Sequence, residues 1–181
     1  MRLVFSNYDD LQNPWYGGGG ARAVHEIARR LACRHDVTVV TGRYPDCCDD
    51  CRDGVRYLRI GTARFGPYAA QISFALLLPR QVRRLAFDLW IESLTPPFST
   101  ACLQRFTQKP VVALTQVLAG EGMSQKYHLP FATIERRGLR TYRYAVAMSP
   151  YLERRLRLAT PNLVVADIPN GTDRAAIERE V

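Results

Sequence analysis

The stretch MRLVFSNYDDLQNPWYGGGGARAVHEIARRLACRHDVTVVTG, residues 1–42, decides the fold. Arg2–Ser6 is a short apolar run and reads as a buried strand. In Ala21–Cys33 the residues Ala21, Val24, Ile27, Ala28 and Leu31 recur at three- and four-residue spacing, which puts them on one face of a helix. Val37–Thr41 is a second apolar run and a second strand. A strand, a helix and a strand in succession are the repeating unit of a parallel sheet covered on both faces.

The alternation continues along the chain. Val55–Ile60 reads as a third strand, Ala70–Phe87 as a helix interrupted near Pro79, and Leu89–Glu92 as a fourth strand running into the breaker Thr95-Pro96-Pro97. Ser99–Phe106 reads as helical, Val111–Thr115 as a fifth strand, Ala132–Tyr142 as a helix and Ala145–Met148 as a sixth strand. Pro150–Arg157 is a helix with proline at its start, Leu163–Ile168 a seventh strand, and a last helix starts near Asp173. The expected fold is therefore a single doubly wound α/β domain over residues 1–181, with a mostly parallel sheet of about seven strands and helices on both faces. Ligands of such folds sit outside the carboxyl ends of the strands, so the informative residues are those that follow strands.

The 181 residues are 47% apolar and 23% charged, a balance that excludes disordered and low-complexity classes. The longest nearly apolar stretch, Ala69–Leu78, falls short of the roughly 20 residues a membrane span needs, and the N-terminus has no signal-peptide pattern. The expected compartment is the cytoplasm. Net charge is +8, with −1 over residues 1–53 and +9 over residues 54–181, and 23 of the 25 basic residues are arginine. Guanidinium groups suit phosphate, so anionic partners are expected.

Gly17-Gly18-Gly19-Gly20 stands between the first strand and the first helix, where bare backbone approaches a ligand and free helix N–H groups face an anion. A flexible linker is the bland alternative. Gly18, Gly20 and Ala23 also fit a dinucleotide spacing, with Arg43 available to a 2′-phosphate. Against that, ten residues, Asn7–Tyr16, intervene between the strand and the glycines, and no acid follows the second strand. NADP binding thus stays as a rival.

Taken together, the strand, the ten-residue loop, the glycine turn, the segment Ala21–Ala32 and the run His35–Thr41 resemble the start of family-4 glycosyltransferases with the GT-B fold. Ser149-Pro150-Tyr151-Leu152 and Ile168-Pro169-Asn170-Gly171-Thr172-Asp173 resemble the segments that close the N-terminal, acceptor-side domain of that family. The resemblance implies a Rossmann-like domain that faces a second, donor-binding one. It implies transfer from a nucleotide-sugar at the cleft between them, with retention of configuration, without a metal ion and with no cofactor besides the nucleotide-sugar co-substrate. Gly17, Gly18, Gly19 and Gly20 would then lie near the donor phosphates or the acceptor, and Asn170, Gly171 and Asp173 would lead into the interdomain cleft.

Departures from the family pattern set further expectations. The family's pair of glutamates eight positions apart, a donor-side signature, has no counterpart among the seven glutamates. Where many members carry a histidine after the fifth strand, this chain has Thr115-Gln116, and a glutamine positions a hydroxyl but takes no proton. The expectation is an acceptor-type half that needs a C-terminal partner domain, in a truncated or split enzyme, with activity of the isolated chain doubtful. The alternative is a catalytically inactive α/β module for a phosphorylated or sugar ligand.

Strand ends supply the acceptor-side candidates Glu92, Thr95, Gln116, Glu121 and Lys126, together with His128. Cys47, Cys48 and Cys51, with Cys33 or His35, contain one C-x-x-C only, so no metal site is expected and reduced thiols are. Arginines 136, 137, 140, 143, 154, 155 and 157 read either as a solvated face or as a patch for anionic membrane, the latter with Tyr142, Tyr144 and Tyr151 as anchors. No nucleic-acid-binding pattern occurs, and no such partner is expected.

Overall fold

A computed structural model describes residues 1–94 and 102–171. Its elements are β1 (Arg2–Ser6), α1 (Gly19–Ala32), β2 (Asp36–Gly42), β3 (Asp50–Arg52), β4 (Val55–Ile60), α2 (Gly66–Arg84), β5 (Leu89–Leu94), a short 3-10 helix (Leu103–Phe106), β6 (Val111–Thr115), α3 (Gly120–Tyr127), α4 (Phe131–Leu139), β7 (Tyr144–Ala147), α5 (Pro150–Ala159) and β8 (Val164–Asp167). Among the described residues the strands form one sheet in the order β3-β4-β2-β1-β5-β6-β7-β8. All neighbours are parallel except β3 and β4. The chain is a single α/β domain, as its alternating pattern predicts.

Two apolar layers hold the sheet. On one face α1 buries Val24 and Ala28 against Leu3, Phe5, Val37, Val39 and Val55. On the other, Ala70, Phe74, Leu78 and Val82 of α2 and Leu152 and Leu156 of α5 pack with Val4, Val40, Trp90, Ala113 and Ala145. Each such side chain fully withdrawn from water contributes roughly 1.5–3 kcal/mol. The strand alternation follows the layers: Trp90, Glu92 and Leu94 of β5 are buried, and Leu89 and Ile91 between them are only partly covered.

The structure corrects several expectations. The sheet has an eighth strand, because Asp53 and Gly54, at φ 50° and 76°, form a tight turn that folds β3 back on β4. Both central residues of such a two-residue hairpin loop need positive φ, and Asp-Gly supplies them. Helix α2 starts at Gly66 and runs through Pro79 without interruption. A helical proline costs about 3 kcal/mol, but the apolar face Ala70, Phe74, Leu78 and Val82 is buried on both sides of it and holds the helix together. Residues 120–127, to which the apolar pattern assigns no element, form α3. Helix α4 ends at Leu139, before Tyr142. Of the helix expected over Ser99–Phe106, only a 3-10 turn over Leu103–Phe106 falls among the described residues. The expected last helix near Asp173 lies outside them.

Candidate functional site

Parallel strands deliver their carboxyl ends to one edge of the sheet, and the loop from Asn7 to Gly18 covers the end of β1. Its own short polar side chains shape it. Asn7 Nδ2 donates to the Asp9 carbonyl at 2.9 Å, Asp10 Oδ1 accepts from Gln12 N at 2.9 Å, and Asn13 Oδ1 accepts from the backbone N–H of Trp15 and Tyr16 at 2.9 and 3.3 Å. Such Asx turns replace the ladder bonds that a loop lacks.

Two adjacent aspartates in this loop have opposite environments. The Asp10 carboxylate is fully buried and accepts from Arg59 Nη2 at 3.1 Å and from Arg52 Nη2 at 3.1 and 3.2 Å. Arg59, itself buried, also pairs with Asp50 at 2.9 Å and so ties the loop to the β3–β4 hairpin. Asp9 has no such partner: among the described residues no donor bonds its carboxylate. Burial pushes its carboxyl up to about 6. The Tyr8 hydroxyl next to it donates to the Pro67 carbonyl at 3.3 Å and is raised far above its ordinary range, first by burial.

The unpaired carboxylate faces the glycine run. Gly18 is the N-cap of α1, and Gly19 and Gly20 form its first turn. No side chain caps this terminus and no acidic residue lies in the first turn, so its leading N–H groups have no side-chain acceptor. A Cβ at Gly20 would stand 3.6 Å from Asp9 Oδ2 and 3.4 Å from Gln116 Oε1; one at Gly18 would stand 3.9 Å from Asp9 Oδ2. Gln116, just past β6, donates through Nε2 to Ser93 Oγ on β5 at 3.4 Å. Gly18, Gly20, Asp9, Gln116 and Ser93 thus converge where β1, β5 and β6 end. Gly17 lies further back, its Cβ position 3.4 Å from the Asn13 carbonyl.

Other sequence candidates fall elsewhere. Glu92 is 3% exposed and accepts a bond from the buried Tyr142 hydroxyl, so both lie in the interior, and Tyr142 is no surface anchor. Glu121 pairs with Arg155 of α5 at 2.8 Å. The Lys126 ammonium lies 5.2 Å from the Tyr127 ring centre and is exposed, as is His128 at φ 54°. Asn170 and Gly171 are exposed after β8, whereas Thr95 and Asp173 lie outside the described residues. Of the arginine run, Arg155 and Arg157 are engaged with Glu121 and Glu153. Among the described residues no three His, Cys, Asp or Glu side chains converge as a metal site, and none of the five cysteines is in a disulfide.

Asp9 and Ser93 are the residues that sequence reasoning missed. The alternation of β5 puts Ser93 opposite Glu92, a signal within reach; nothing local separates Asp9 from Asp10.

Helix α3, beyond Gln116, is fixed by Glu135 of α4. Its Oε2 accepts from the N–H groups of Ala119 and Gly120 at 3.1 and 3.0 Å, capping α3 from outside. Gly120 has to be glycine there, since a Cβ would stand 2.8 Å from Glu135 Oε1 and 3.0 Å from the Ala132 Cα.

The sequence model of Glycosyltransferase Family 4 matches residues 17–176. No sequence among the curated proteins matches the chain. Its fold is similar to that of sucrose-phosphate synthase from Thermosynechococcus elongatus, at TM-score 0.70 and 14% identity over 96% of this chain and 49% of that one. It is also similar to WaaG, a glycosyltransferase involved in lipopolysaccharide biosynthesis, at TM-score 0.64 and 15% identity over 95% and 46%. A third is α,α-trehalose 6-phosphate synthase from Burkholderia multivorans, at TM-score 0.63 and 11% identity over 99% and 51%. The chain therefore has the fold of a GT-B glycosyltransferase N-terminal domain and spans about half the length of these structures.

Proposed function

We propose that this chain, which belongs to Glycosyltransferase Family 4, is the acceptor-presenting half of a retaining, metal-independent transferase that uses a nucleotide-sugar. A donor-binding domain, in the same polypeptide or in a partner, completes the cleft. The observation that carries this reading is the unpaired Asp9 carboxylate facing the uncapped glycine turn, with Gln116 on the opposite side. An acceptor hydroxyl seated there donates to Asp9 and is oriented by Gln116. The first-turn N–H groups of α1 face negative oxygen, either on the acceptor or on the diphosphate that leaves as the new glycosidic bond forms. In the transfer the anomeric carbon gains the acceptor oxygen and loses the diphosphate oxygen, and the hydroxyl proton departs with the diphosphate or by way of Asp9.

An NADP module is the weaker alternative, because the ten residues Asn7–Tyr16 part β1 from the glycines and no acid directly follows β2 to hold a ribose. An inactive module for a sugar ligand uses the same groups without the second domain.

The test is complementation. The chain is joined to, or mixed with, a family-4 donor-binding domain, and diphosphate release and the anomeric configuration of the product are followed by NMR. Transfer with retention, reduced at least tenfold by Asp9→Asn, is expected. A stable complex that transfers nothing, or one indifferent to Asp9→Asn, refutes the reading.

A further inference from the structure

Helix α2 is apolar on both sides. Its inner face, Ala70, Phe74, Leu78 and Val82, belongs to the core. Its outer face carries Tyr68, Ile72 and Leu76 at four-residue spacing, with Phe65 at the N-cap, and these are 69%, 47%, 72% and 72% exposed, in the order Tyr68, Ile72, Leu76 and Phe65. A helix that is hydrophobic all round is ordinarily enclosed all round, whereas this one leaves a ridge of four large apolar side chains in water.

The charge around the ridge selects what covers it. Over residues 61–87 the sequence contains four arginines, Arg64, Arg80, Arg83 and Arg84, and neither Asp nor Glu. Arg64 lies beside Phe65, its guanidinium 5.5 Å from the ring centre, and Arg80 and Arg84 are exposed at the other end of the helix. The nearest acid in sequence after the helix, Asp88, is already paired with Arg2 at 2.9 Å. A second copy of the same face would set arginines against arginines. An anionic lipid surface instead accepts the apolar side chains among its acyl chains and the guanidinium groups among its phosphates.

We infer that the outer face of α2, with Phe65, Tyr68, Ile72 and Leu76 inserted and Arg64, Arg80 and Arg84 at headgroup level, is a docking surface for anionic membrane. This differs from a contact through the arginines of residues 136–157, where Tyr142 is buried and Arg155 and Arg157 are engaged with acids. The inference does not rest on transferase activity. The N-terminal end of α2 adjoins the candidate site, since the Tyr8 hydroxyl bonds to the Pro67 carbonyl, so docking would bring the strand-tip site close to the lipid headgroups.

Co-sedimentation of the 181-residue chain with vesicles tests it, comparing equal parts phosphatidylglycerol and phosphatidylcholine with phosphatidylcholine alone. Binding only to the anionic vesicles, weakened by salt, is expected. Phe65→Ser/Tyr68→Ser/Leu76→Ser should bind roughly tenfold or more weakly, because each inserted side chain loses its apolar burial, while its melting temperature stays unchanged. Arg80→Gln/Arg84→Gln should bind more weakly with the apolar ridge intact. Equal sedimentation of the triple variant and wild type overturns the inference, as does indifference to phosphatidylglycerol. So does a dimer in sedimentation velocity that the triple variant abolishes. None of these results bears on sugar transfer, so the two proposals fail separately.

Discussion

Replacing Asp9 by asparagine should stabilise the protein, and only where the carboxylate is ionised. Burial raises the Asp9 carboxyl from an ordinary value of 3.8 to about 6, a gap of about 2 that corresponds to about 3 kcal/mol. The sign follows from the direction. Below about pH 3 both the folded and the unfolded chain hold the proton, and the carboxyl costs nothing. Between about 4 and 6 the unfolded chain has released it and the folded chain has not, so stability falls as pH rises; above 6 the full cost is present. Asparagine has nearly the same shape and no charge. At pH 8 the variant should therefore gain up to about 3 kcal/mol, which for a chain of this size raises Tm by roughly 6–12 °C. At pH 3 the two proteins should melt together. Thermal unfolding followed by circular dichroism at pH 3, 4, 6 and 8 measures the difference. A constant offset at every pH, or no offset at pH 8, would show that the Asp9 carboxylate is not held against its own ionisation.

The glycine turn has a parallel signature. Gly19→Ala meets nothing within 4 Å, so it should raise stability by about 0.5–1 kcal/mol through helix propensity and still impair transfer in the complemented enzyme. Undiminished transfer would make the turn a linker. Gly120→Ala drives a Cβ into Glu135 and Ala132 and should cost about 1–3 kcal/mol in urea unfolding, whereas Gly122→Ala, with open space around it, should not. Asp10→Ala takes from the buried Arg59 one of its two carboxylates, Asp50 remaining, and should cost up to about 3 kcal/mol; if the melting temperature is unmoved, the loop is not anchored through this pair.

The parts of the fold that were legible in the sequence are those whose stability is local. The unit β1, α1, β2 follows from apolar spacing alone, because each element presents one face to the same core. Helix α3 was not legible: Gly120 and Gly122 depress its propensity, and what caps it is a side chain fifteen residues further on. β3 carried a sequence signal in Asp53-Gly54, but three residues give no usable period. Glu92 reads as a strand-end residue only where the apolar run stops at the breaker; the strand continues to Leu94, and two-residue alternation then places Glu92 on the side of Trp90, beneath the helices. At the site, Gly18, Gly20 and Gln116 were legible as residues that follow strands. Asp9 was not, because its isolation depends on Arg52 and Arg59 turning to its neighbour, more than forty residues away in sequence.

That division of labour between Asp9 and Asp10 bears on where the chemistry lies. A carboxylate can be buried stably by giving it guanidinium partners, and this fold does so at Asp10 with two of them. One residue earlier it gives none, and the unpaired group stands against a helix start made of glycine, where alanine would be the more stable choice. Two local costs, of different physical origin, fall within a few ångströms of each other at the edge of the sheet where α/β folds bind ligands. Loop structure does not require either, since the Asx turns and the Asp10–Arg59 pair already hold the loop. A ligand that donates to Asp9 and approaches the bare N–H groups offsets both at once. The stability gained by Asp9→Asn and by Gly19→Ala should accordingly be matched by weaker acceptor binding, the exchange expected of a site and not of a linker.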